Sequence, residues 1–92
     1  MTATVLIPGA LRAESGGEGH LAVTGNATLG AVFDELAASW PRLERRIRDE
    51  RGQLRRYVNV YINGEDCRIL AGLDSPVPDN AEIQILPSVA GG

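Results

Sequence analysis

Lysine is absent from this 92-residue sequence, and cysteine, histidine and tryptophan occur once each, as Cys67, His20 and Trp40. A lone cysteine forms no intrachain disulfide, no cysteine-rich zinc site and no cysteine-ligated iron–sulfur cluster, so no metal site is expected. Such cysteine usage fits a reducing compartment, and a cytoplasmic location is the expectation. A lone histidine with no nucleophile beside it in sequence gives no basis for a catalytic triad. Long apolar runs are also missing. No stretch approaches the roughly 20 apolar residues of a membrane span. The opening Met1–Pro8 lacks the basic start of a secretory signal, and Pro8 and Gly9 interrupt its apolar run.

What remains is an ordinary globular composition, 43% hydrophobic and 23% charged. The length suits one domain with one thin core and little room for a deep substrate cavity. Net charge is −3, so the chain as a whole is not built to coat nucleic acid or an anionic membrane.

Patterning gives the order of elements. Thr4–Ile7 is β-prone, a Gly- and acid-rich loop follows over residues 13–19, and His20–Thr24 alternates as a second strand. Thr28 is a suitable N-cap for a helix over residues 29–39, whose apolar stripe is Leu29, Val32, Phe33, Leu36 and Trp40. Pro41 ends that helix and opens a second, shorter one, with Leu43, Ile47 and Leu54 as its apolar positions and Gly52 as its end. Glu44/Arg48, Arg45/Asp49 and Arg46/Glu50 would then be charge pairs one turn apart. Tyr57–Ile62 is the clearest strand, with Val58, Val60 and Ile62 on one face. Asn63-Gly64 signals a tight hairpin turn into a return strand over residues 66–70, and Glu82–Leu86 is the last strand. Strands before and after one long helix suggest an α+β domain with the helix laid across one face of a sheet.

Few residues offer chemistry. His20 reads as an exposed strand end and Cys67 as a small residue in a half-buried strand position. Gly16-Gly17-Glu18-Gly19 lacks the Gly-Lys-Ser/Thr ending of a phosphate-binding loop. Asp49/Glu50 and Glu65/Asp66 are sequence neighbours that point different ways, and read as solvated surface. Between residues 41 and 56 lie seven arginines and three acids, a local charge of +4 that leaves −7 on the remainder. A solvated helix face and loop explains this run best, docking to an acidic protein comes second, and nucleic acid third.

The closing Gly91-Gly92 is the most informative pair. A terminal carboxylate is ionised in the cell and a poor electrophile, but as an acyl-adenylate it is open to attack by an amine, a thiol or sulfide. Two glycines have no side chains to clash with the walls of another protein's channel. Residues 87–92 would reach roughly 20 Å when extended.

These residues sit within a wider resemblance that covers nearly the whole chain. The ending Ile83-Gln84-Ile85-Leu86-Pro87-Ser88-Val89-Ala90-Gly91-Gly92 resembles that of the ubiquitin-like sulfur-carrier proteins of the MoaD/ThiS family. Asp79-Asn80-Ala81-Glu82-Ile83 resembles the family's Asp-Gly-Asp-Glu-(Val/Ile) entry to the last strand, with Asn80 and Ala81 departing from it. Tyr57–Asp66 resembles the family's strand and turn, and Thr28–Val32 its helix entry. The Pro-x-Val-Ala-Gly-Gly ending and the extended region 41–56 are most similar to the CysO branch, which serves cysteine biosynthesis.

The resemblance implies a β-grasp fold with a mixed sheet, a domain over residues 1–86 and a flexible tail over 87–92. It implies a protein co-substrate that is no enzyme and binds no cofactor itself. An adenylyltransferase of the ubiquitin-activating type would use ATP and Mg²⁺ to adenylate Gly92. The resulting thiocarboxylate would pass sulfur to an acceptor in a client biosynthetic enzyme, such as a pyridoxal-phosphate-dependent cysteine synthase or another sulfur-incorporating synthase, with a metalloprotease acting later. Cysteine or a sulfur-containing natural product is favoured over molybdopterin and thiamin. Val89, Ala90 and Gly91 would thread the partner, while Leu6, Tyr61 and Leu86, on the sheet face away from the helix, would dock. The competing reading is a ubiquitin-like interaction module whose tail is not used chemically. A β-grasp electron carrier is excluded by the cysteine count.

Overall fold

The computed structural model describes residues 2–24 and 27–87. Strands β1 (Thr2–Leu6) and β2 (His20–Thr24) form an antiparallel pair, joined through a 3-10 helix at Gly9–Ser15. Helix α1 (Leu29–Ser39) and helix α2 (Pro41–Ile47) follow. Then come β3 (Val58–Ile62), the two-residue β4 (Glu65–Asp66), a 3-10 turn at Gly72–Asp74 and β5 (Ala81–Pro87). The sheet order is β2-β1-β5-β3-β4, with β1 and β5 parallel and the other neighbours antiparallel. The last strand in sequence is therefore the middle strand of the sheet.

Alternation along each strand sorts the side chains. Ala3, Val5, Val23, Val58, Val60, Ile62, Ala81, Ile83 and Ile85 turn inward and join Leu29, Val32, Phe33 and Leu36 of α1 in one core. Leu43 and Ile47 of α2 join it, as do Ile7, Leu11, Cys67 and Val77. Val5, Val60, Ile83 and Ile85 of the sheet and Leu29, Val32 and Phe33 of α1 are all 0% exposed, so the contact between helix and sheet is dry.

Local chemistry explains several boundaries. The Thr28 hydroxyl accepts from the Ala31 N–H at 3.2 Å and caps α1. Trp40 ends α1, and Pro41 begins α2 at the first turn, where its missing N–H costs nothing. Asn63 (φ 49°) and Gly64 (φ 87°) are both left-handed, as a two-residue hairpin turn of twisted strands requires. Asn63 also ties the turn to β5. Its N–H donates to the Glu82 carbonyl at 2.9 Å, and its Oδ1 accepts from the Glu82 N–H at 2.8 Å. Asn80, where the family pattern has glycine, adopts φ 63°, a conformation asparagine tolerates better than most residues.

Three expectations are corrected. The segment after β1 is not simply an open loop, because Gly9–Ser15 winds into a 3-10 helix with Leu11 and Ser15 buried. Helix α2 stops at Ile47 rather than running to Gly52. Leu54 therefore sits in the following loop, bridged to Arg48, and Arg45/Asp49 and Arg46/Glu50 are not helical pairs. The Asp49 side chain ends the helical run locally, since its Oδ1 accepts from the N–H groups of Arg51 and Gln53 at 2.9 and 3.1 Å. The return strand is only Glu65–Asp66. Beyond it the chain turns, with Ile69 and Leu70 donating to the carbonyls of Asp66 and Cys67.

Candidate functional site: the outer sheet face and the end of β5

The sheet face opposite α1 is left uncovered by the described residues, and the strand register lays out its side chains. Leu6 pairs with His20 on one side and Gln84 on the other, Gln84 with Tyr61, and Tyr61 with Asp66. One row across this outer face thus reads His20, Leu6, Gln84, Tyr61, Asp66. The next row toward the end of β5 begins with Leu86 beside Asn59. Leu6, Tyr61 and Leu86 accordingly share this face, separated by Gln84 and Asn59. Val5 and Ile7, on either side of Leu6, are buried at 0% and 1%, whereas Leu6 is half-exposed and Leu86 is 40% exposed.

An open recess of about 220 Å³ lies at the β1 side of Leu86. Leu6, Pro8, Arg12, His20, Gln84 and Leu86 contribute to its lining. Arg12 is held there by donating from Nε to the Ile7 carbonyl at 3.0 Å. On the β3 side stands Arg68, exposed, whose guanidinium donates to Asn59 Oδ1 at 3.2 Å and to the Arg55 carbonyl at 3.1 Å. Sequence reasoning missed Arg12, Gln84 and Arg68. Gln84 was legible from the alternation of β5. The other two depended on a 3-10 helix and a turn that alternation does not reveal. Val89, Ala90, Gly91 and Gly92 lie outside the described residues.

Electrostatics separate structural groups from available ones. Arg48 is 8% exposed. Its Nε meets Glu44 at 2.6 Å, its Nη2 meets Asp34 at 2.9 Å, and its guanidinium lies 5.7 Å from the centre of the Phe33 ring. Burial works against its charge, but hydrogen bonds and charge attraction from Glu44 and Asp34 outweigh that and hold its pKa above the ordinary arginine value. Asp49 is held below the usual carboxylate range, first by the Gln53 N–H and then by Arg51 and Arg55. Cys67 is fully buried. Burial, aided by Asp66, pushes its thiol pKa up, which makes it a packing residue rather than a nucleophile. Among the described residues, no group of histidine, cysteine and carboxylate side chains could hold a metal ion, and no helix is long and apolar enough to cross a membrane.

A five-stranded mixed sheet with β5 in its middle, a helix across one face and the other face open defines a ubiquitin-like β-grasp protein. The ThiS family matches residues 5–92. The sulfur carrier protein CysO of Mycobacterium tuberculosis is 42% identical over 94 residues that cover all of both chains. The crystal structure of the Amycolatopsis orientalis BexX/CysO complex contains a chain that superposes with a TM-score of 0.88 at 39% identity, covering 98% of this chain and 99% of that one. The small archaeal modifier protein 1 of Haloferax volcanii is 36% identical over 70 residues, 76% of each chain. The chain belongs to the ThiS/MoaD family of ubiquitin-like sulfur carriers and is a carrier of the CysO type.

Proposed function

We propose that Gly92 carries the sulfur and that the chain serves its partners as a substrate, in the cytoplasm. A partner of the ubiquitin-activating type binds ATP and Mg²⁺. The Gly92 carboxylate attacks the α-phosphorus, pyrophosphate leaves, and an acyl-adenylate forms. Hydrosulfide then adds to the acyl carbon, AMP leaves, and the thiocarboxylate remains with no change of oxidation state. Its sulfur is the nucleophile delivered to an acceptor inside a client enzyme, one that builds cysteine or another sulfur-containing product. Val89, Ala90 and Gly91 thread the channel, and Leu6, Tyr61 and Leu86 meet the surface around its mouth.

The observation that carries this reading is the full-length match to a sulfur carrier, in a sequence that passes from the middle strand through Ser88-Val89-Ala90 to Gly91-Gly92. Incubation with the adenylating enzyme, ATP and sulfide should give the mass change of oxygen exchanged for sulfur at Gly92. Deletion of Gly92, or one residue added after it, should abolish that change. An extended chain that supports sulfur transfer in its partners as well as the unaltered one would leave only the interaction-module reading, in which the tail is not used chemically.

The likeness to an archaeal modifier favours a second reading, in which an amine of another protein takes the acyl group from the adenylate. With no lysine in its own sequence, such a chain could not be linked through lysine to a second copy. Peptide mapping for an amide at Gly92 separates the two outcomes.

A further inference from the structure

Most arginines of residues 41–56 are not consumed by the fold. Among the described residues, ion pairs form only at Arg48, with Glu44 and Asp34. Because α2 ends at Ile47, Asp49 and Glu50 do not come round beneath Arg45 and Arg46. Asp49 instead faces Arg51 and Arg55. Arg45, Arg46 and Arg56 are exposed.

The guanidinium groups of Arg55 and Arg68 donate to neutral acceptors, with the Asp49 carboxylate close enough to feel the Arg55 charge. Arg55 donates from Nε to the Arg45 carbonyl at 2.7 Å, and Arg68 donates to the Arg55 carbonyl and to Asn59 Oδ1. A carbonyl or amide oxygen orients a guanidinium without cancelling its charge, and leaves other donors of the fork free. These contacts draw α2, the loop before β3 and the turn after β4 to one corner. At that corner β5 hands the chain on, for Pro87 pairs with Val58 and Leu86 with Asn59, the residue on which Arg68 rests. Arg55 and Arg56 lie just ahead of Val58 in sequence.

We propose that Arg55, Arg56 and Arg68 form a cationic docking corner beside the exit of β5, and that it meets carboxylates around the mouth of the channel through which a partner enzyme takes the closing residues. The surface rests on the carrier reading above, since it gives that reading's partner a stated chemistry: an acidic protein rim. A nucleic acid fits less well. The same outer face carries Asp66 and Glu82, and the chain outside residues 41–56 bears −7. A long polyanion would have to lie over those acids, whereas a local rim of carboxylates would not. Opposed charges at such a rim act on encounter rate and orientation, and salt screens them.

The test is pyrophosphate exchange by the adenylating enzyme of the same organism, with the carrier as varied substrate at low and high ionic strength. The Arg56→Glu/Arg68→Glu protein should raise KM about tenfold at low salt with kcat little changed, and the gap should close at high salt. Arg56→Gln/Arg68→Gln, which keeps hydrogen bonding and adds no acid, should fall between, with an unchanged melting profile. Arg42→Glu, on the first turn of α2, is the net-charge control for Arg68→Glu alone, each change being of two units. An unchanged KM, an Arg42→Glu effect equal to that of Arg68→Glu, or a deficit that persists at high salt overturns the corner. Retention of duplex DNA by the unaltered protein but not by the reversal variant overturns it in favour of nucleic acid. No exchange with the unaltered protein sinks the carrier reading itself. Normal exchange with salt-insensitive reversal sinks the corner alone.

Discussion

Replacing Arg48 with methionine should be among the most destabilising single changes outside the apolar core. The Arg48 side chain is 10% exposed and that of its partner Glu44 13%, whereas the Asp34 side chain is 75% exposed. Methionine fills much of the same volume but leaves the Glu44 carboxylate shielded from water without a cation. Breaking a buried pair from one side costs about 3 kcal/mol. Losing the contact with Phe33 adds about 0.5 kcal/mol. The exposed Asp34 contact contributes little, so Asp34→Asn should cost about 0.5 kcal/mol. Against a total of about 5–14 kcal/mol for a domain of this length, the Arg48→Met loss is large. It should lower Tm by about 15 °C. The double change Glu44→Leu/Arg48→Met removes both charges and should return to within about 1 kcal/mol of the unaltered protein. Urea unfolding followed by the fluorescence of Trp40, the only tryptophan and a half-buried one packed on the core, reads these differences at constant m. A single change costing under about 1 kcal/mol, or a double change as damaging as the single, would refute the claim that the cost is a stranded carboxylate.

Two further outcomes follow from the site. Leu86→Ala, at an exposed outer-face position, should cost about 1 kcal/mol of stability yet weaken binding to the adenylating enzyme about tenfold. Calorimetry showing unchanged affinity would remove Leu86 from the docking face. Cys67 has a folded pKa above its unfolded value, so its contribution to stability is complete below the unfolded thiol pKa and is lost as pH rises through the folded one. Stability should therefore fall above about pH 8.5. Cys67→Ala should flatten that fall, and an alkaline limb of equal slope in both proteins would contradict the assignment.

Much of this architecture was written in short-range signals. Residues 29–39 carry a cap, an apolar stripe and a proline stop in agreement, and α1 occupies those residues. The Asn63-Gly64 turn and the alternation of β3 and β5 were equally explicit, and together they place Tyr61 and Leu86 on one face. Leu6 was less plain, because Val5, Leu6 and Ile7 are all apolar; only the register with Gln84 shows which way it points. The end of α2 at Ile47 is hidden in the sequence because the arginine–acid spacing after it is compatible with a helix. Asp49 offers two backbone N–H groups an alternative acceptor and wins locally. The arginine run over residues 41–56 was legible as a local excess of positive charge, but its meeting with Arg68 was not, since that forms between segments brought together by the strand order.

The placement of β5 also bears on how the molecule withstands being held by its end. Five register pairs bind β5 to β3 and four bind it to β1. Tension applied through the closing residues acts along the axis of β5, so both ladders resist it together in shear, rather than opening one bond at a time as a peeled edge strand would. A partner that grips the end tightly can therefore let go or be pulled away without drawing out the strand whose inward side chains, Ile83 and Ile85, lie at the centre of the core.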